Sequence, residues 1–263
     1  MTPRRPRVTI TTRKSLRDTI ETRLNPSTPL LSLPTELSAG ELLLIKASIG
    51  SPARLIAELT AALSAAERER ASKYFRPVDA LRHTLGRGIL RHALSRLMDL
   101  PASDIVFEIE PAAGKPYVTG APAFNVSHSG DLVLVALGRE GRIGVDVEAV
   151  RPVPDLESVA RTSFTRDEVD ALFRFPAGET RTLAFFRGWT RKEAMLKALG
   201  HGIGSLDRIS VALTEGDGNA LLRLDVVGET RPAWTVRSVR AAASHEAAIA
   251  WDRPLQGILC IEP

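Results

Sequence analysis

Short apolar runs and longer amphipathic stretches alternate along the chain. In the first part, five runs are continuously apolar or alternate in polarity, which is typical of strands. These runs are residues 41–50, 104–110, 123–127, 131–138 and 142–150. Residues 51–75 and 76–100 instead repeat their apolar positions at helical spacing and predict two helices.

The second part of the chain repeats this order of elements. Helical spacing covers residues 155–174 and 179–200, and the second stretch ends at Gly200, a common helix-terminating residue. Four strand-like runs follow as a predicted meander, at residues 208–214, 220–227, 233–240 and 245–252. The residues themselves show no repeat, but their order predicts an α+β fold. We expect a pseudo-twofold pair of similar α/β halves in one chain, each a small, mostly antiparallel sheet packed by helices.

The first forty residues differ in composition from the rest. Residues 1–24 contain seven Lys or Arg and two acids, a net charge of +5, and residues 25–40 are rich in Pro, Ser and Thr. We predict that residues 1–40 are a disordered basic tail and linker. A mis-assigned start and a transit peptide are alternatives for the tail. The predicted domains are then residues 41–145, the N-terminal half, and residues 146–263, the C-terminal half.

The charge outside the tail restricts the class of protein. The whole chain carries +4, so the remaining 239 residues sum to −1 and do not form a general basic surface for nucleic acid. No apolar run reaches the ~18–20 residues that a membrane helix needs. Cys260 is the only cysteine, which excludes an internal disulfide and fits a reducing compartment. We therefore expect a cytoplasmic protein that binds neither nucleic acid nor membrane.

Two carboxylates stand in the strand predicted at residues 142–150. Asp146 and Glu148 would share one face, because side chains alternate along a strand. Such neighbours repel each other unless a cation or water screens them, and Mg²⁺ binds carboxylates together with phosphate oxygens. A hydrated face of an amphipathic strand accounts for the same two residues, and this pattern alone favours that simpler interpretation.

A second group of polar residues lies on the helix predicted at residues 179–200. Trp189, Glu193 and Lys197 are four residues apart and share a face. Glu193 and Lys197 are also correctly ordered for a surface ion pair, which is worth only tenths of a kcal/mol. The helix carries many apolar residues, so we expect it to be packed and Glu193 to have a fixed place. We expect Trp189 to support the core of the helix.

A third feature is a local excess of basic residues. Residues 67–96 contain eight Lys or Arg against three acids, and His83, Arg87 and Arg91 share one helical stripe. A solvated face explains this excess, and a site for a polyanionic ligand is the alternative. Since the body is close to neutral, a ligand site would be local. The turn Gly114-Lys115-Pro116 adds one more ammonium group or is only an exposed hairpin turn.

The order of these motifs resembles that of a known family. Phe-Asn-Val-Ser-His-Ser-Gly at residues 124–130 is followed by Gly-Val-Asp-Val-Glu at 144–148 and by Trp-x-x-Lys-Glu-Ala-x-x-Lys at 189–197. Together with the upstream Gly-Lys-Pro at 114–116, this set is similar to the 4′-phosphopantetheinyl transferases of the surfactin-synthetase-activator type. The resemblance covers residues 40 to 263.

The resemblance implies a reaction and its partners. Enzymes of this family transfer the phosphopantetheine arm of coenzyme A to a serine of an apo acyl or peptidyl carrier protein, and release adenosine 3′,5′-bisphosphate. It implies Mg²⁺ on Asp146, Glu148 and Glu193. It also implies a catalytic role for Glu193 as general base towards the carrier serine, and for Lys197 at the transferring phosphate. Asp146 and Lys192 are further expected among the residues that bind the coenzyme A phosphates.

The resemblance also implies contacts to the rest of coenzyme A. Ser127 and His128 are similar to the pair that contacts its phosphates. Gly114, Lys115 and Pro116 would line the adenosine-phosphate side.

Two arginines complete the expected coenzyme A site. Arg82 lies where the family has an arginine near the adenine and the 3′-phosphate, and Arg70 is the expected upstream contact to the 3′-phosphate. The chain departs from the family pattern nearby, because a position that is often lysine in related enzymes is Glu67 or Arg68 here.

Two other functions use the same residues. A Mg²⁺-dependent phosphodiesterase or nuclease would use the three acids with water as the acceptor, and a binding module would hold coenzyme A or a carrier without chemistry. The adjacent Ser and His of the Ser-His-Ser motif have poor geometry for a hydrolase triad. We expect a monomer whose two halves form the active cleft between them.

Overall fold

The computed structural model describes residues 21–23, 33–111, 113–216 and 218–262. Most of the predicted tail and linker, residues 1–20 and 24–32, lies outside the described residues. Leu33 and Leu37 are buried in the core of the first half, so packing there begins before residue 41.

The described chain contains six α-helices and twelve strands. The helices are α1 (Ala53–Ala62), α2 (Ala65–Ser72), α3 (Pro77–Met98), α4 (Leu156–Ser163), α5 (Arg166–Arg174) and α6 (Glu179–Leu199). The strands are β1 (Glu21–Arg23), β2 (Glu41–Ser48), β3 (Glu108–Ile109), β4 (Pro116–Tyr117), β5 (Ala123–Ser129), β6 (Leu132–Gly138), β7 (Ile143–Ala149), β8 (Ile209–Val211), β9 (Leu221–Leu224), β10 (Thr235–Ser238), β11 (His245–Trp251) and β12 (Gly257–Glu262). None of these helices is both long and apolar enough to cross a membrane. The predicted α+β class is confirmed.

Two stretches that were predicted as single helices are each divided by a capping box. Within residues 51–75, the Ser64 hydroxyl accepts the Glu67 N–H while the Glu67 carboxylate accepts the Ser64 N–H, so α1 ends and α2 begins. Thr165 and Glu168 make the same exchange between α4 and α5. The two predictions of a continuous helix were wrong, because the hydroxyl satisfies the backbone donors that open a new helix.

Two sheets pack face to face in the centre of the molecule. The first has the order β1-β12-β2-β6-β5, and the second has the order β10-β11-β7. Apolar side chains from both sheets, including Leu44, Leu134, Val145 and Ile249, form one core between them. Helix α3 covers the outer face of the first sheet and α6 the outer face of the second. The result is four layers, helix, sheet, sheet and helix.

The last strand was not predicted. β12 runs parallel to β2 in the first sheet, so the end of the described chain returns to the first half.

The predicted boundary between residues 145 and 146 lies inside β7. The predicted strand at 104–110 is reduced to the exposed pair β3, whose partner β4 begins with a proline that lacks an N–H. The predicted meander is also divided, because β8 pairs only with β9 whereas β10 and β11 join β7.

The two halves repeat each other in register, although their sequences show no repeat. The capping residues Ser64 and Thr165 are 101 residues apart, as are Glu67 and Glu168. The β2–β6 pairing runs from Leu42–Gly138 to Ser48–Leu132, and the β7–β11 pairing runs from Ile143–Trp251 to Ala149–His245. The first strands of these pairs are therefore also offset by 101 residues. The predicted pseudo-twofold arrangement therefore relates each residue of these elements in the first half to the residue 101 positions later in the second half.

Candidate active site

The edges of the two sheets meet where β5 lies beside β7. Three side chains of β5 accept hydrogen bonds from alternate backbone N–H groups of β7. The pairs are Asn125 Oδ1 with Val145 N (2.9 Å), Ser127 Oγ with Val147 N (3.3 Å) and Ser129 Oγ with Ala149 N (3.1 Å). Side chains thus take the place of a backbone ladder, which leaves Asp146 and Glu148 at the junction between the halves.

Helix α6 packs directly on β7 because Gly144 has no side chain. A Cβ atom at Gly144 would lie 1.9 Å from the carbonyl oxygen of Ala194, so a larger residue would displace the helix. This close approach brings Glu193 and Lys197 over the strand face that carries Asp146. The predicted helix at residues 179–200 is confirmed in position, with Gly200 in the left-handed conformation at its end.

A pocket of about 350 Å³ opens at this junction. It is lined by Val126, Ser127, His128, Asp146, Glu148, Trp189, Glu193 and Lys197. Six of these were predicted as site residues from the sequence, and they come from β5, β7 and α6. The structure therefore brings residues of both halves together in one cavity.

Asp146 is the most enclosed carboxylate of the pocket. Its Oδ1 accepts hydrogen bonds from Lys197 Nζ (2.6 Å) and Ser127 Oγ (2.9 Å), whereas its buried Oδ2 has no partner among the described residues. Burial raises the pKa of Asp146, and the ion pair with Lys197 opposes this shift. Lys197 also donates to Ser127 Oγ (3.0 Å) and to the Val145 carbonyl (3.2 Å). Its ammonium group is therefore fixed at the base of the pocket.

Glu193 faces the other two acids from α6. Burial raises its pKa first, and the negative charges of Asp146 and Glu148 raise it further, while Lys197 opposes them. A carboxylate whose pKa is raised towards neutrality accepts a proton more readily than an ordinary glutamate. Glu193 thus has the electrostatic character of a general base.

The three carboxylates fit a divalent cation by their chemistry. Among the described residues, no group of three or more His, Cys, Asp or Glu side chains is gathered closely enough to hold a metal ion as it stands. However, Asp146 Oδ2 is buried without a partner in the described part of the chain, and the pKa of Glu193 is raised by burial and then by repulsion from the other two acids. A cation would satisfy both features, since Mg²⁺ takes a few carboxylate oxygens and keeps positions for phosphate and water.

His128 lines the pocket from the first half, and Arg82 lies close enough for its charge to act on that imidazole. Arg82 donates from Nε to the Gly130 carbonyl (2.9 Å) and forms an ion pair with Asp79 (2.7 Å). Burial lowers the pKa of His128, and the charges of Arg82 and Lys197 lower it further. An anion bound here would meet one fixed guanidinium group and the imidazole.

The Gly114-Lys115-Pro116 turn approaches the start of β7 and not the pocket itself. Lys115 Nζ donates to the Ile143 carbonyl at 2.7 Å. Burial lowers the pKa of Lys115 to about 8. Gly114 adopts φ +65, which glycine tolerates best, and Pro116 opens β4. None of the three residues lines the cavity.

Some of the basic residues on the stripe of α3 form ion pairs within the protein. Arg91 is buried and pairs with Glu67 at 2.6 Å, and Arg87 lies 3.3 Å from the same carboxylate. His83 Nε2 and Arg87 Nη1 are buried without hydrogen-bond partners among the described residues. Arg70 is exposed, yet its charge helps to lower the pKa values of His83 and Arg87, which places it close to both. This basic cluster of Arg70, His83 and Arg87 lies outside the cavity.

Lys192 is not brought into the pocket. Its side chain is fully buried and its Nζ lies 2.6 Å from Glu168, the capping-box glutamate of α5. Glu168 also accepts the Val211 N–H at 2.8 Å. Lys192 thus has a structural partner, and it corresponds to Arg91, which pairs with the capping-box glutamate of the first half.

The sequence did not assign two groups in or beside the pocket. Trp189 was predicted as core support only, but it forms part of the pocket wall while also stacking on Phe185. Ser129 was not predicted as a site residue, yet it donates to Glu148 Oε2 at 2.7 Å. Polar residues at alternate positions 125, 127 and 129 were the available signal, since they share one face of β5.

Comparison with known proteins places this site in a family. The model of the 4′-phosphopantetheinyl transferase superfamily matches residues 142–250, and the model described as 4′-phosphopantetheinyl transferase, N-terminal, matches residues 52–139. The chain is 35% identical over 215 residues to the 4′-phosphopantetheinyl transferase HetI of Nostoc sp., covering 80% of this chain and 86% of that protein. This chain belongs to the 4′-phosphopantetheinyl transferase superfamily. It is a transferase, as the resemblance predicted.

Other relatives match over shorter segments. The transferase is 40% identical over 162 residues to psf-1 of Bacillus pumilus, which covers 60% of this chain and 67% of that protein. It is 34% identical over 165 residues to Sfp of Bacillus subtilis, which covers 62% of this chain and 71% of that protein. Both relatives are named as 4′-phosphopantetheinyl transferases.

Proposed function

We propose that this transferase moves the 4′-phosphopantetheine arm of coenzyme A to a serine hydroxyl of an apo acyl or peptidyl carrier protein. Adenosine 3′,5′-bisphosphate is the second product. The observation that carries the proposal is the pocket between the halves, where three acids, a fixed ammonium group and the Ser-His pair line one cavity. The nucleophile comes from the carrier, so the chain needs none of its own.

The reaction is a displacement at phosphorus. The carrier serine oxygen forms a bond to the phosphorus of the phosphopantetheine phosphate, and the bridging P–O bond of the pyrophosphate breaks. The bridging oxygen leaves with the adenosine 3′,5′-bisphosphate. Glu193 takes the serine proton, directly or through water, because its carboxylate lines the pocket beside the other two acids. Lys197 stabilises the charge that develops on the transferring phosphate.

The other predicted residues bind coenzyme A. Ser127 and His128 contact its phosphates from the pocket wall. Lys115, with Gly114 and Pro116, lines the adenosine-phosphate side.

Arg82 and Arg70 bind the adenine and the 3′-phosphate. The exposed position of Arg70 beside His83 and Arg87 supports this role, since both neighbours have buried nitrogens without partners. We do not assign Lys192 to coenzyme A, because Glu168 holds its ammonium group away from the pocket.

Mg²⁺ would be held by Asp146, Glu148 and Glu193. When bound, it neutralises the pyrophosphate and favours departure of the bisphosphate. The unpartnered Asp146 Oδ2 supports this assignment.

We further propose that the protein acts as a cytoplasmic monomer that binds neither nucleic acid nor membrane. Both sides of the pocket come from a single chain, β5 from the first half and β7 with α6 from the second. The near-neutral body and the lone cysteine support the remaining points.

Intact-mass spectrometry of apo carrier proteins tests the function directly. With coenzyme A and Mg²⁺, we expect a gain of about 340 Da, one phosphopantetheine arm, that disappears with EDTA. A fatty-acid carrier and a peptidyl carrier tested together would distinguish the partner class. Cleavage of coenzyme A without a mass gain on either carrier would favour the phosphodiesterase, and neither product would indicate a binding module.

A further inference from the structure

The side chains of β5 that accept hydrogen bonds from β7 differ in the other groups that they contact. Within the part of the chain that the structure describes, the Asn125 side chain binds only the Val145 N–H, whereas Ser129 binds the Ala149 N–H and also the carboxylate of Glu148. Ser129 is therefore both a link between the two sheets and a direct neighbour of an acid in the pocket.

The two contacts of Ser129 fix the direction of its single hydroxyl proton. The Ala149 N–H, at 3.1 Å, can only donate, so the Ser129 oxygen accepts from it. The proton is then free for Glu148 Oε2, which lies 2.7 Å away. A hydroxyl held in this way donates to the carboxylate without first having to reorient.

Ser129 itself is held from two sides. Its carbonyl oxygen lies 3.2 Å from Nε2 of the buried His245, and the carbonyl of the next residue, Gly130, accepts from Arg82. Gly130 has φ +57, and a Cβ atom there would lie 2.8 Å from His245 Nε2, so only glycine fits this turn. The end of β5 therefore has little freedom to move its hydroxyl away from β7.

We propose that Ser129 is a positioning residue that holds the Glu148 carboxylate in the orientation needed to bind the divalent cation. Both polar contacts of Glu148 within the described chain, to Ser129 and to Arg151, involve Oε2, which leaves Oε1 for a ligand. Without the hydroxyl, the carboxyl group would rotate more freely and lose freedom only when the cation binds. The inference rests on the proposed function, since it requires a metal-dependent site.

The chain supplies a matched control for a merely structural role. Asn125→Ala removes one side-chain bond between β5 and β7 without touching a carboxylate, and Ser129→Ala removes a similar bond together with the contact to Glu148. A loss of Mn²⁺ affinity in both variants would come from the weakened contact between β5 and β7. A loss of Mn²⁺ affinity in Ser129→Ala alone would come from the missing contact to the Glu148 carboxylate.

Binding of Mn²⁺ to the full-length protein measures this difference without relying on turnover. Free Mn²⁺ is followed by electron paramagnetic resonance at saturating coenzyme A, and thermal unfolding is measured in parallel. We expect Ser129→Ala to weaken Mn²⁺ binding about 10- to 100-fold, the range found when a partner of a metal ligand is removed. Asn125→Ala should keep the wild-type Mn²⁺ affinity, while both variants lower the melting temperature.

The outcomes separate this inference from the function beneath it. If the wild-type protein modifies a carrier and binds Mn²⁺, but Ser129→Ala binds Mn²⁺ as tightly as Asn125→Ala, the positioning role is wrong and the function stands. If the wild-type protein neither binds Mn²⁺ nor modifies a carrier, the proposed function and this inference are both overturned.

Discussion

The two halves share a scaffold but differ at the positions that we propose for the chemistry. At the 101-residue offset, the positions of Asp146 and Glu148 on β7 correspond to Ile45 and Ala47 on β2. Ile45 and Ala47 are buried in an apolar core beneath α3, whereas Asp146 and Glu148 face the pocket beneath α6. Similarly, Glu193 and Lys197 correspond to His92 and Arg96. The fold is repeated, but the acids and the lysine that we propose for the reaction occur only in the second half among the described residues.

The two strands β2 and β7 differ in how their edges are paired, and this explains part of the difference between the halves. β2 is flanked on both sides by backbone partners, β6 and β12, so both of its edges are satisfied by a regular ladder. Among the described strands, β7 has only β11 as a ladder partner, and side chains of β5 bind the backbone along its other edge. An edge completed by side chains leaves room for a cavity. In the proposed function, the first half then supplies mainly binding groups and the second half supplies the chemistry.

The largest effect that tests this division is expected at Glu193. Glu193→Gln should lower the rate of transfer by about 10²- to 10⁴-fold, the usual contribution of a general base. His92→Gln, at the corresponding position of the first half, should leave the rate unchanged. Initial rates from intact mass of the carrier measure both. Equal rates for Glu193→Gln and the wild-type protein would remove Glu193 from the chemistry.

The buried ion pairs beneath the two long helices should differ in stability. Lys192→Met leaves Glu168 as an uncompensated charge in a site where both side chains are at most 2% exposed, which should cost about 3–5 kcal/mol. Arg91→Met should cost less, because Glu67 keeps Arg87 and is more exposed. Urea unfolding gives the two free energies. A transfer rate that falls for Lys192→Met without a loss of stability would return Lys192 to the site.

The contact between strand and helix is closer in the second half. Gly144→Ala should destabilise the protein by about 1–3 kcal/mol and also slow transfer, because the added methyl pushes α6 and Glu193 away from β7. Leu43→Ala, at the equivalent position, should destabilise by about 2–5 kcal/mol through a cavity, with little effect on the rate per folded molecule. Rates measured well below the melting temperature separate the two cases. Unchanged transfer by Gly144→Ala would contradict the requirement for close packing.

The smallest expected effect is a pH dependence of coenzyme A binding at Lys115. Burial lowers the pKa of Lys115 to about 8, and a phosphate binds the charged ammonium form. As the pH rises through 8 the charged fraction falls, so KM for coenzyme A should rise by at most about tenfold per pH unit. Lys115→Arg stays charged and should flatten the profile. A pH effect on kcat at saturating coenzyme A that Lys115→Arg abolishes would instead connect the first half with the chemistry.

Local sequence patterns predicted most of the elements, whereas the choice of site residues depended on the resemblance to the family. The alternation in β7 placed Asp146 and Glu148 on one face, and the spacing in α6 placed Glu193 and Lys197 on another, so their meeting required only that the helix cover the strand. Ser64 and Thr165 each precede a glutamate by three residues, which is a capping signal that helical periodicity alone overlooks.

Other features depend on contacts between distant parts of the chain. The partner of Lys192 is Glu168 on another helix, and helical spacing contains no information about it. Likewise, β12 pairs with β2 across more than two hundred residues, and its short run after Pro254 carries no mark of that partner. The two contacts of Ser129, to Ala149 and to Glu148, could be recognised only once β7 was known to lie beside β5.

The position of β12 has a consequence for how the protein is made. A ribosome releases the first half long before residues 257–262 emerge, so β2 waits with one edge open throughout the synthesis of the second half. Domains usually fold as units in the order of synthesis, but here the first sheet cannot be completed until residues 257–262 have been made. During that interval the exposed edge of β2 is a template for pairing with another chain. The nascent protein is therefore vulnerable to aggregation until β12 has been made and has paired with β2.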